Sequence, residues 1–96
     1  MGKIIDTKES ELVQEFVKNA KEDFSEKIFR NRVVDIDVTE CLQDESFTEG
    51  VRMKVTGSVE TSSPTGKPRT YEYHAVVDVH GKKAEFASLE VLPLEG

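Results

Sequence analysis

Apolar residues recur at helical spacing early in the chain: Leu12, Val13, Phe16, Val17, Ala20 and Phe24. Glu11, Gln14, Glu15, Lys18, Asn19, Lys21 and Glu22 lie between them. That stripe predicts one amphipathic helix. Asp6-Thr7-Lys8-Glu9 marks its start, with Asp6 as cap and Glu9 reaching back. Ile28 continues the stripe, so the helix is expected to run to about Phe29 and stop near Asn31.

The period then changes to two. In RVVDIDVTECL, Val34, Ile36, Val38 and Leu42 share one face, and Asp35, Asp37 and Thr39 the other. This is the signature of a half-buried strand. Cys41 has the parity of Val33, away from the apolar face. GVRMKVTGSVE puts Val51, Met53, Val55 and Val59 inward, with Arg52, Lys54, Thr56 and Ser58 outward. TYEYHAVVDVH puts Tyr71, Tyr73, Ala75, Val77 and Val79 inward, with Glu72, His74, Asp78 and His80 outward. In KAEFASLEVL, Ala84 and Phe86 share the inward face with Leu89 and Val91 only if a bulge falls at Ala87-Ser88.

The connections are short and polar: QDESFTEG from Gln43 to Gly50, TSSPTGKPR from Thr61 to Arg69, and a tight turn at Gly81. The expected architecture is α+β, with one N-terminal helix packed across a curled four-stranded antiparallel meander sheet. Nothing divides the chain, so residues 1–96 are expected to form a single domain. Lys3-Ile4-Ile5 is a candidate short edge strand before the helix.

The order of elements resembles the cystatin/monellin-like fold. Phe29-Arg30-Asn31-Arg32-Val33-Val34 looks like the stretch after the cystatin helix. Tyr71 to Val79 is similar in pattern to a later cystatin strand. The resemblance implies that fold and, as one functional alternative, a cystatin-like protease inhibitor. Where cystatins carry Gln-x-Val-x-Gly, this loop reads Gln43-Asp44-Glu45-Ser46-Phe47, so only the glutamine matches. Where they carry Pro-Trp, the turn is His80-Gly81-Lys82, and the chain has no tryptophan.

Charge narrows the partners. The net charge is −6, which opposes the basic footprint that nucleic-acid binding requires. No run approaches the roughly 20 apolar residues of a membrane span. The single cysteine, Cys41, allows no internal disulfide, and MGKIIDTKES has no apolar leader. Together these read as cytoplasmic.

Candidate chemistry is sparse. His74, Asp78 and His80 share one strand face, but His74 and His80 stand about 20 Å apart at ~3.3 Å per residue. One metal does not bridge them, so no metal site is expected. Asp35 and Asp37 lack a nucleophile or closed pocket to work with. No Gly-rich phosphate loop, CxxC pair, HExxH or G-x-S-x-G occurs, so no cofactor and no catalysis are expected. The outward charges read instead as a cross-strand ladder. Arg52 should face Asp78, Thr56 should face His74, and Asp35 and Asp37 should lie near Lys54 or Arg52. At the last turn, a His80-Gly81 loop sets Asp78 opposite Lys83, and a Gly81-Lys82 loop sets it opposite Glu85. The charges favour the first.

The function expected is a non-catalytic binding domain with a protein or peptide partner. Its contact is either the 43–50 loop, with Phe47, Gln43 and Glu45 as candidate residues, or a sheet edge. A small-ligand site or enzyme on the concave sheet face is a further alternative. A homodimer through paired edges is compatible with each.

Overall fold

A computed structural model of the chain describes residues 7–28, 32–62 and 68–93. Lys3-Ile4-Ile5, Asp6, Phe29, Asn31 and most of the Thr61–Arg69 loop lie outside them. Two helices, α1 (Lys8–Asn19) and α2 (Lys21–Lys27), precede four strands. These are β1 (Arg32–Gln43), β2 (Val51–Ser62), β3 (Arg69–His80) and β4 (Lys83–Pro93). They form one antiparallel meander in the order β1-β2-β3-β4, so β1 and β4 are its edges. The class is α+β, as the two hydrophobic periods require.

The helical stripe is real, but the helix is not continuous. It breaks at Ala20, whose backbone leaves the helical region at φ −87°, ψ 42°. No Gly or Pro marks the break, so local sequence does not announce it. Val13, Val17, Phe24 and Ile28 are nonetheless all buried, on both sides of it. At the N-terminus the cap is Thr7, whose hydroxyl accepts the Ser10 amide at 3.0 Å. Glu9 and Glu11 in the first turn and Lys18 in the last complement the helix dipole.

In β1 the simple alternation fails. Val34 is 49% exposed, while Val33 and Cys41 are buried. The ladder to β2 slips twice, between Val33 and Asp35 and between Val38 and Glu40. Each slip adds one residue and reverses the parity beyond it. The inward set is therefore Val33, Ile36, Val38 and Cys41, not Val34 and Leu42. Thr39, left over at the second bulge, donates its hydroxyl to the Thr56 carbonyl at 3.1 Å.

The bulge in β4 falls where the hydrophobic pattern requires it. Val76 pairs with Ser88 and Val77 with Phe86, leaving Ala87 over. Arg52 pairs with Asp78 and Thr56 with His74, as the charge ladder predicts. Asp35 and Asp37 do not meet Arg52 or Lys54; they pair with Glu60 and Ser58. Antiparallel pairing counts outward from the connecting loop. Residues just after it, such as Met53 and Lys54, therefore meet Gln43 and Leu42.

The last turn also departs from expectation. His80 pairs with Lys83, so Gly81-Lys82 form the loop and Asp78 faces Glu85. Gly81 has φ +65°, the left-handed value that two-residue hairpin turns require at their first position. Glycine adopts it without steric cost. That requirement outweighs a like-charge contact between side chains, because Asp78 is already bound to Arg52 from the other side.

The core lies between the helices and one sheet face. The Phe24 ring meets Tyr73 edge-on at 4.9 Å and Phe86 at 6.2 Å. The Phe16 ring lies 4.8 Å from Phe86. The Tyr73 hydroxyl donates to the Asp37 carbonyl at 2.7 Å, across the intervening strand. Gly57 makes this reach feasible, since a Cβ there would overlap both groups.

Candidate functional site

Among the described residues, two regions can present a surface: the loop between β1 and β2, and the sheet edge at β4. The loop is built around Asp44. Its carboxylate accepts the Ser46 amide at 3.1 Å and the Ser46 hydroxyl at 2.6 Å. Those bonds hold the Asp44 carboxyl below the ordinary carboxylate range. The Asp44 amide donates to the Arg52 carbonyl at 2.8 Å, and the Phe47 amide to the Asp44 carbonyl at 3.2 Å. The segment is thus a hydrogen-bonded turn closing the β1–β2 hairpin.

Phe47 does not stand clear of this turn. Its ring is half-buried, with the Arg52 guanidinium 4.1 Å from its centroid. Arg52 in turn grips Asp78 through two parallel bonds, at 2.6 and 2.9 Å. The Asp78 side chain is only 13% exposed. The bonded guanidinium lowers the Asp78 pKa, and the carboxylate raises that of Arg52. Phe47, Arg52 and Asp78 form a stacked, paired unit. Gln43 and Glu45 are exposed beside it.

The histidines are spread out. His74 lies 3.7 Å from Glu72, and His80 lies 3.6 Å from Glu85 at the turn. Among the described residues, no group of three His, Cys, Asp or Glu side chains could hold a metal ion. Cys41 sits in the core, where the Ser10 hydroxyl points to its sulfur at 3.5 Å. Burial pushes its thiol pKa up, against a smaller opposing effect of Ser10. A thiol in that state is a poor nucleophile.

The β4 edge differs from the rest of the sheet. On β3 the inward residues Tyr73, Ala75, Val77 and Val79 are buried. Their partners on β4 are Val91, Leu89, Phe86 and Ala84, and all four are only half-buried. At the β1 edge, three of the four inward residues, Val33, Ile36 and Cys41, are buried, and Val38 alone is half-buried. Both helices lie chiefly over β1 and reach β4 less. An open groove of about 440 Å³ runs between α1 and the start of β4, lined by Leu12, Phe16, Ala20 and Ala84. Glu15, Asp23 and Lys82 also border it.

Sequence reasoning names a sheet edge but not which one, because alternation tells which face is inward, not how far the opposite layer extends. Among the described residues, no helix is long and apolar enough to cross a membrane. No family model, curated protein or solved structure matches the chain.

Proposed function

We propose that this chain is a non-catalytic module that binds a protein or peptide along its β4 edge. The frame for this reading is a helical layer laid across a curled sheet of the cystatin/monellin type. The observation that carries it is the half-burial of Ala84, Phe86, Leu89 and Val91 beside the buried Tyr73, Ala75, Val77 and Val79 of β3. An added strand would pair with β4 and cover those side chains. The 43–50 loop is the weaker candidate, because Phe47 is already engaged by Arg52.

Backbone direction supports the same edge. His80 and Lys83 close a two-residue turn and are its hydrogen-bonded pair. By parity, Lys83, Glu85, Ser88, Glu90 and Leu92 then turn their amides toward β3. Ala84, Phe86, Leu89 and Val91 turn theirs to the open side. Pro93 has this outward parity, the position in an edge strand where a missing N–H costs no ladder bond.

The test is capture of partners from the native source, followed by two variants. Val91→Pro removes an outward amide and leaves the β3 ladder its bonds. Phe47→Ala removes the loop aromatic. With folding verified by NMR, capture should be lost with Val91→Pro and kept with Phe47→Ala. Capture indifferent to Val91→Pro would end the β4 reading.

A further inference from the structure

Building on the β4-edge reading, we infer that the strand accepted there is an extended peptide of alternating basic and apolar residues. Its chemistry follows from what β4 offers on each face. On the inner face stand Phe86, Leu89 and Val91, all half-buried. On the outer face stand Glu85 and Glu90, both exposed. Glu85 has His80 at 3.6 Å and lies opposite Asp78, and Glu90 lies opposite His74. Asp78 is committed to Arg52. No lysine or arginine of β3 faces either glutamate in the ladder. Lys82 and Lys83 lie at the turn, before both.

The bulge sets the spacing of the partner. Between Glu85 and Glu90, β3 advances only from Asp78 to His74, because Ala87 has no partner. An unbulged strand on the open side therefore advances by four residues over the same length. A basic residue opposite Glu85 is followed by an apolar one opposite Phe86. Next come a free position opposite Ser88, an apolar residue opposite Leu89, and a second basic residue opposite Glu90. The pattern is basic–apolar–any–apolar–basic, and it reads the same in either direction. Parallel and antiparallel addition are thus both served. A following apolar residue meets Val91.

A second copy is a poorer occupant. Each chain carries a net charge of −6. Two β4 strands paired bulge to bulge would set Glu85 against Glu90 twice. Like charges directly opposite each other destabilise a ladder.

The experiment is an NMR titration of the full chain, labelled with nitrogen-15, against three synthetic peptides. The first contains Lys-Val-Thr-Val-Lys between Gly-Ser flanks. The second replaces both lysines by glutamate, and the third replaces both valines by glycine. The expected result is saturable movement of the Ala84, Phe86, Leu89 and Val91 amides with the first peptide. Affinity should fall about tenfold or more with the second, the scale of two cross-strand charge pairs changing sign, and should also fall with the third, which loses two apolar cross-strand pairs. The double variant Glu85→Lys/Glu90→Lys, at exposed positions, should reverse the preference between the first two peptides. Equal affinity for basic and acidic peptides overturns the basic-partner inference and leaves the edge reading standing. Three outcomes count against more. No movement of the β4 amides with any peptide, or slow exchange of those amides in the free protein, overturns the edge reading as well. A concentration-dependent doubling of mass that moves the same amides assigns the edge to a second copy and overturns the inference.

Discussion

Tyr73 ties three strands together with one atom. Its ring packs on Phe24, and its hydroxyl crosses above Gly57 to the Asp37 carbonyl. Burial raises the phenol's pKa, with the Asp37 and Cys41 charges adding to the effect. Tyr73→Phe keeps the ring and removes the bond. It also leaves the Asp37 carbonyl short of one partner. The expected cost is about 1–2 kcal/mol, read from urea unfolding with an unchanged m-value. A change below a few tenths would show that the bond is replaced by water. Sequence parity places Tyr73 inward but carries no sign of this bond. The hydroxyl's partner belongs to a strand two positions away in the sheet, 36 residues earlier.

Among the elements, the broken helix is the most instructive. The stripe from Leu12 to Ile28 implies a single rod, because every inward position recurs on schedule. The chain instead turns at Ala20 and brings Phe24 against both Tyr73 and Phe86. Periodicity is blind to such a break when the inward residues on both sides still reach the core. Phe24→Ala should cost about 3–5 kcal/mol through lost burial and the cavity left behind. A domain of this size has roughly 5–15 kcal/mol in total. Thermal unfolding should therefore drop by about 15 °C or more. A drop of only a few degrees would mean that α2 contributes little to the fold. β1 makes the converse case. Its two bulges exchange Val34 for Val33 and bring Cys41 inward. Adjacent apolar pairs, Val33-Val34 and Cys41-Leu42, leave either choice open to a reader of the pattern.

For the molecule as a whole, pH should limit stability from both ends. Asp44 and Asp78 have folded pKa values below the ordinary 3.8. Their contribution is complete above that value and is lost as pH falls through the lowered ones, when the folded state must take up protons late. Cys41 and Tyr73 have folded values above the ordinary 9.0 and 10.0. Above those ordinary values the unfolded chain releases protons that the folded chain holds, so stability falls as pH rises further. Urea midpoints should form a plateau that declines as pH falls below the ordinary carboxylate value of 3.8 and as it rises above the ordinary thiol value of 9.0. Asp78→Asn should flatten the acid limb. An acid limb unchanged in that variant would remove the Arg52–Asp78 pair from the account.

The alternation of apolar and polar residues determines the four strands, the inward faces of β2, β3 and β4, and the bulge at Ala87, because a period of two admits no other burial there without exposing those side chains. The arrangement of Gly, Pro and polar residues determines the meander, since each connection is too short for a crossover. The charge pattern finds the Arg52–Asp78 pair, because both lie on one outward face in a ladder whose register the loops constrain. It does not choose the last turn, where the left-handed backbone of Gly81 prevails. The bulges of β1, the break at Ala20 and the half-open edge at β4 emerge only when helices and sheet are packed together. Each depends on how far one layer reaches over the other, a distance in space that no local period encodes.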